Sequence, residues 1–306
     1  MNPLWSSWGR FPRIKAAAVQ IPAWHDQVAG LLHKALPGTI LPRGLGRSYG
    51  DVCTHEGGTL LSTQSLHHIL AFDDHAGVLR VEAGASFAEI LPVIVPRGWF
   101  LPVSPGTKYV SVGGAVANDI HGKNHHGMGT FGCHVRAFEL VRSTGETMLC
   151  SPSMHAEWFS STIGGLGLTG CITWVELQLL RVPSPTMRVV YTPFVGIREF
   201  LALSEASSAT YTVAWLDTAA ARPRGIFMEG EHALSASDEV SIPSHPACTI
   251  PFDGPHWLVS APIMKVFNTA YYWMQRLLPS VRESVSLNAF FYPLDALGAW
   301  IRLYGK

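Results

Sequence analysis

Hydrophobic and polar positions follow two rhythms along this chain. Between residues 26 and 36, Val28, Leu31, Leu32 and Leu36 recur at helical spacing, which predicts a helix with one apolar face. Residues 39–42 form a short apolar run read as a strand. Leu79, Val81 and Ala83 alternate with Arg80 and Glu82, the pattern of a half-buried strand. Ser86 and Glu89 have the form of a capping box opening a helix that runs to Val95, and Pro96-Arg97-Gly98 stops it. Residues 113–117 predict a short helix whose N-terminus would face a phosphate. Residues 136–142 and 146–149 read as a hairpin turning at Ser143-Thr144-Gly145, and residues 172–180 as a further alternating strand.

Pro183 and Pro185 mark a domain boundary. Beyond it the texture changes, with more aromatics and a Ser-rich stretch at 235–244. Tyr271, Tyr272, Trp273 and Met274, with Leu277 and Leu278, read first as a core helix and alternatively as a lipid-facing surface. Residues 287–292 read as a strand with an exposed edge. The pattern as a whole predicts an α+β protein. With 306 residues, two domains are expected: 1–182, divided near 84 into subdomains 1–84 and 85–182, and 183–306.

Composition narrows the partners. The chain is 47% hydrophobic and only 14% charged, so either much of its surface is buried or part of it meets a partner or lipid. A formal net charge of zero argues against nucleic acid. The five cysteines are widely spaced without a C-x-x-C, which predicts free thiols in a reducing compartment. The N-terminus has no uninterrupted apolar core of a signal peptide, so a cytoplasmic location is expected. Pro92, Pro96, Arg97 and Pro102 interrupt the most apolar stretch, 90–103, so it does not read as a membrane span.

Two glycine-rich segments carry the candidate chemistry. The first is Pro42, Arg43, Gly44, Leu45, Gly46, Arg47, Ser48, Tyr49, Gly50 and Asp51. The second runs from Gly106 through Ser111, Val112, Gly113 and Gly114 to Asn118, Asp119, Ile120 and His121. Such loops let main-chain N–H groups converge on an anion. Two of them, with apolar strands between, predict an extended ligand with a phosphate-bearing middle, as in a dinucleotide. The first loop lacks the Lys-Ser/Thr ending of a P-loop. Gly165-Leu166-Gly167-Leu168-Thr169-Gly170 matches G-x-G-x-x-G but leads into a strand, so it reads as a tight turn or a third ligand loop, not a Rossmann fingerprint. His121, His125, His126 and His134 are separated by Gly122 and Gly127 and lack a completing carboxylate or thiolate, so no metal site is expected. His125, His126 and His134 are expected to bond backbone, while His121 ends the second segment where a ligand would lie.

PRGLGRSYGD at 42–51, SPGTKYVSVGGAVANDIHGKNHHGMGTFGCHVR at 104–136 and GGLGLTGCI at 164–172 together resemble the flavin-binding, PCMH-type domain of the vanillyl-alcohol oxidase superfamily. HGKNHH is specific to the branch that oxidises the 2′-hydroxyl of polyprenylphosphoryl ribose in cell-wall biosynthesis. The resemblance covers residues 8–180 well and continues more weakly through VAWLD at 213–217 and FFYPLDALGAWIRLYGK at 290–306. It implies FAD extended between two subdomains. Residues 42–52 would wrap the pyrophosphate, with Arg43 and Arg47 answering its charge. Gly106, Ser111, Val112, Gly113, Gly114, Asn118, Asp119, Ile120 and His121 would line the flavin and ribityl side, with Val110 and Ala115 suiting the ring face. Gly170 and Ile172 would touch the adenine end.

Tyr49 stands where some relatives carry the histidine that bonds flavin covalently, so non-covalent FAD is expected. The resemblance implies catalytic roles for His121, Tyr49 and Lys123, the last toward a substrate phosphate, and substrate contacts for Trp215 and Tyr304. It further implies a lipid-linked sugar substrate, peripheral contact with the inner face of the membrane and an NADH-dependent reductase partner. Relatives continue past the position of Lys306 and carry a lysine and a cysteine there, so an incomplete antiparallel cap domain is expected. Two alternatives remain: a non-catalytic FAD-binding fragment, and a polyol or aldonolactone oxidase.

Overall fold

The computed structural model describes residues 5–36, 38–234 and 246–303. Three short strands come first: β1 (Ala18–Gln20), β2 (Ile40–Arg43) and β3 (Thr59–Ser62), paired in parallel with β3 central. Helix α1 (Gln27–His33) lies between β1 and β2 in sequence. It buries Val28 and Leu32 beside Leu61, Leu66, Val141 and Cys171, so a small second core seals this sheet to its neighbour. β2 runs directly into the first glycine segment.

The next elements are β4 (Ile69–Asp73), β5 (Val78–Glu82), α2 (Phe87–Ile94), β6 (Trp99–Phe100), α3 (Val112–Ala117), α4 (His125–Met128), β7 (Val135–Val141), β8 (Thr147–Cys150), α5 (Ala156–Thr162) and β9 (Cys171–Gln178). Five of them form an antiparallel sheet ordered β4–β5–β9–β7–β8. β4 and β5 therefore belong to the second sheet, and the division placed near 84 falls before Ile69 instead. The long-range pairing of β5 with β9 decides this, and no local pattern encodes it. The expected capping box is present. Ser86 Oγ accepts the N–H of Glu89 at 3.2 Å, and the Glu89 carboxylate accepts that of Ser86 at 2.8 Å. Gly98 closes the turn that follows at φ 78°, and Gly145 turns the β7–β8 hairpin at φ 83°.

After β10 (Leu180–Arg181) come β11 (Thr186–Val195), α6 (Ile197–Ala206), β12 (Tyr211–Asp217), β13 (Arg224–His232), β14 (Cys248–Thr249), α7 (Ala261–Leu277), β15 (Val281–Ser286), α8 (Leu287–Phe291) and β16 (Leu297–Gly298). The sheet β12–β13–β11–β15 is antiparallel. β14 pairs with β16, and β10 reaches back to β6.

Two expectations fail in this region. Residues 287–292 are not a strand: Ser286 caps α8 by accepting the Ala289 N–H, and Leu287, Phe290, Phe291 and Tyr292 are buried. An unbroken apolar run has no period of its own, so the cap and the surrounding core decide its state. The aromatic stripe of α7 is also not core. Tyr272 is buried, but Trp273, Met274 and Leu277 are exposed. Tyr304, Lys306 and the Ser-rich stretch lie outside the described residues.

One hydrophobic core runs through both large sheets. It includes Leu79, Phe87, Val116 and Phe138 from the first, and Met187, Val189, Tyr211 and Phe291 from the second. Polar bonds join the same faces. Ser104 Oγ and the Tyr292 hydroxyl lie 2.5 Å apart, Asp295 accepts the N–H of Lys108 at 2.7 Å, and Asn288 accepts the Lys108 ammonium at 2.8 Å.

Candidate functional site

The two glycine segments meet at one cavity of about 260 Å³, walled by the first loop, α3 and residues 166–172. Close contact fixes one glycine in each segment, and Gly46 stands at φ 66° as well. A Cβ on Gly44 would lie 2.1 Å from Ser111 Oγ, where loop one touches the cap of α3. A Cβ on Gly113 would lie 2.8 Å from that of Ala83, where α3 rests on the end of β5. The backbone N–H groups of Leu45, Gly46 and Arg47 donate to no protein acceptor among the described residues, so they remain available to a ligand, while that of Ser48 is bonded to the Cys53 thiol. Unbonded amides on a cavity wall fit an anionic group.

Helix α3 meets its phosphate expectation only in part. Its first two amides are already spent, Val112 N–H on Ala85 O at 2.9 Å and Gly113 N–H on Ala83 O at 2.7 Å. Ser111 Oγ accepts the next, from Gly114, at 3.3 Å. The helix start is fastened to the turn after β5, which leaves the first loop as the amide cradle.

The two arginines divide their work. Arg43 is buried and donates to Cys53 O at 2.6 Å and Ser6 O at 2.8 Å, pinning the loop, while its Nε is buried without a partner. Arg47 donates Nε–H to Tyr109 O at 3.0 Å and lies over the rings of Trp8, at 4.4 Å, and Tyr109, at 5.3 Å. Burial pulls both guanidinium groups below their usual pKa. The Asp295 carboxyl acts on the Arg47 guanidinium and offsets part of its charge. Arg43 gives two of its five N–H donors to backbone carbonyls.

Pro42, Arg43, Gly44, Leu45, Gly46, Arg47, Ser48, Ser111, Gly113, Gly114, Asn118, Ile120, Gly170 and Ile172 line the cavity, as do Val110 and Ala115. Gly50, Asp51, Gly106, Val112, Asp119 and His121 do not. Val112 is buried behind the wall, and Asp119 accepts the Gly132 N–H at 2.9 Å. His121 is exposed with its ring 5.7 Å from that of His125, and its backbone bridges to Thr130. Tyr49 is 58% exposed and lines a neighbouring cleft of about 380 Å³ with Trp8, Arg47, Tyr109, Asp295 and Trp300. Lys123 donates its ammonium to Phe290 O and sits over the Phe290 ring, and burial brings its pKa down to about 8. Trp215 packs edge-on against Tyr271 at 4.7 Å and lines neither space.

Sequence reasoning missed Cys53, Thr63, Ala83 and Ala117, which complete the lining with Val52, Leu166 and Gly167. Thr63 and Ala83 follow the ends of β3 and β5, so only strand pairing brings them in. Leu166 and Gly167 lie on the cavity as a third loop, with Leu166 at φ 53° and Gly167 at φ 80°.

Comparisons with known proteins bear on this cavity. Residues 16–151 match the family model described as FAD binding domain. The chain is similar to decaprenylphosphoryl-β-D-ribose oxidase of Mycolicibacterium smegmatis (strain ATCC 700084 / mc(2)155), 32% identical over 285 residues, covering 87% of this chain and 61% of that protein. It is 30% identical to cytokinin dehydrogenase 4 of Arabidopsis thaliana over 172 residues, 52% of this chain and 32% of that one. D-lactate dehydrogenase of Anaerostipes hadrus is 25% identical over 158 residues, covering 50% of this chain and 33% of that one. The chain thus spans less than two thirds of the length of each of these relatives.

Proposed function

We propose, on the match of residues 16–151 to the FAD binding domain, that this chain oxidises a secondary alcohol of a sugar, the 2′-hydroxyl of a polyprenylphosphoryl ribose. The observation that carries the proposal is the convergence of three glycine-rich segments on one cavity with unbonded amides, in a chain similar over most of its length to an oxidase of that substrate. FAD is the cofactor, and the residues fit it. The amides of Leu45 to Arg47 and the Arg47 charge would hold the diphosphate, while Val110, Ala115 and Ile172 supply apolar wall for a ring. When bound, FAD supplies the acceptor for a hydride from the carbinol carbon.

The chain's own residues would then position the alcohol and take its proton. Tyr49 faces the neighbouring cleft beside Arg47, and His121 follows the cavity-lining Ile120 by one residue. Lys123 is assigned to the substrate phosphate. An anion arriving beside its ammonium would raise a pKa that burial has lowered. A lipid-linked substrate would favour the inner face of the membrane, and an NADH-dependent reductase is the partner proposed to act in the same pathway.

Anaerobic titration of the FAD-loaded protein tests this reading. Polyprenylphosphoryl ribose should bleach the visible flavin band, and free ribose should not. Bleaching by free polyols or aldonolactones would move the assignment to that class of oxidase, and bound flavin that no donor bleaches would make the chain a non-catalytic binder. Because a phenol at Tyr49 cannot form a histidyl–flavin bond, acid precipitation should leave the flavin in the supernatant. A yellow pellet would overturn that expectation.

A further inference from the structure

Arg47 stands on the wall shared by the cofactor cavity and the neighbouring cleft, since it lines both. Two residues hold it. Its Nε–H goes to Tyr109 O at 3.0 Å, and its guanidinium lies over the rings of Tyr109 and Trp8. One segment from the second half of the chain braces both holders. Asp295, on the single turn Pro293–Ala296 that follows α8, accepts the backbone N–H of Lys108 at 2.7 Å and the Thr107 hydroxyl, so it fastens the two residues just before Tyr109. Trp300 meets Trp8 edge-on, with ring centres 5.5 Å apart. The turn is fixed in its place, because the Asp295 N–H donates to the carbonyl of the buried Tyr292 at 3.0 Å.

Asp295 brings a charge as well as these bonds. It is 7% exposed and lines the cleft with Arg47, Tyr49 and Tyr109. Burial pushes its carboxyl pKa up, against the Thr107 and Lys108 bonds and the charges of Lys108 and Arg47. Of these two cations, Lys108 donates its ammonium to Asn288 and lines neither space. Arg47 is therefore the one through which the carboxylate reaches the cofactor cavity. For an anionic ligand the two actions have opposite signs. The bonds keep in place the carbonyl that holds Arg47, and the carboxylate offsets part of the charge that the ligand meets.

We infer that Asp295 is a positioning residue for the cofactor: it fixes the segment 107–109 that holds Arg47 and limits how much of the Arg47 charge reaches a diphosphate. The inference rests on the reading that Arg47 faces the diphosphate of FAD. Its test is the affinity of the full chain, stripped of flavin, for FAD and for riboflavin, which has no phosphate, by fluorescence quenching, and for ADP by competition. Asp295→Asn keeps an oxygen for the Lys108 N–H and removes the charge. FAD and ADP should then bind about three- to tenfold more tightly, with the gain shrinking as salt rises, and riboflavin should bind as before. Asp295→Ala removes the bonds too and should lose that gain. With Arg47→Met in place, Asp295→Asn should leave FAD affinity within about twofold. Circular dichroism certifies each fold, and Asp295→Ser is a second uncharged side chain that keeps an oxygen. No tightening in the folded uncharged variants, an equal change for riboflavin, or an undiminished gain without Arg47 would overturn the inference. Failure of the underlying reading looks different: Arg47→Met alone would then weaken riboflavin as much as FAD.

Discussion

Gly113 has no room for a methyl group, because α3 rests directly on the end of β5. Gly113→Ala should push the helix off its seat at a cost of about 1–3 kcal/mol. Because Gly113 also lines the cavity, flavin content per chain should fall along with the melting temperature, and both can be read on one purified sample. Lys123 offers a pH test. Burial lowers its pKa from 10.5 to about 8, so below pH 8 the folded chain carries the full cost of a buried charge. As pH rises from 8 to 10.5 the unfolded chain binds more protons than the folded one, and stability rises with it. Compared with Lys123→Met at each pH, the wild type should therefore gain up to about 3 kcal/mol across that window in urea unfolding. A flat difference would show that the amine is well solvated.

At the scale of elements, a buried carboxylate joins the segments around β5. Glu82 accepts from the His68 backbone at 3.0 Å and ring at 2.7 Å, and from His25, just ahead of α1, at 3.0 Å. Burial pushes its carboxyl pKa up, but these donors outweigh that and hold it below the ordinary 4.5. The contribution is complete above pH 4.5 and fades as pH falls through the lowered value. Glu82→Gln should cost about 1–3 kcal/mol at neutral pH, and that difference should shrink on acidification below 4.5 in denaturant midpoints. The capping box of α2 is a local matter by contrast, and Ser86→Ala should cost about 1 kcal/mol by thermal melting. That box was readable from two residues. The helical state of Leu287–Phe291 was not, because its apolar run fits either period until Ser286 caps it and the aromatic core receives it.

Across the whole molecule, α8 is where the two large sheets share a core. Phe291 is 1% exposed and its ring lies 4.9 Å from Phe100 and 5.0 Å from Tyr211. Phe291→Ala should cost about 3–5 kcal/mol and lower flavin release and backbone melting together, since one cluster supports both sheets. Separate transitions would mean that the sheets unfold independently. The sequence by itself determined the local features: the helix start at Ser86, the β7–β8 hairpin, the glycines that permit close approach and the absence of Lys-Ser/Thr after the first loop. These depend on neighbours in the chain, where caps, turns and periodicity act. Only the tertiary structure decided that Thr63, Ala83 and Leu166 stand on one cavity wall, that Arg43 bonds backbone carbonyls, and that α7 buries Tyr272 while exposing Phe267 and Trp273. Those outcomes follow from strand pairing and burial between distant segments, and a local pattern of polar and apolar residues does not encode which segments will meet.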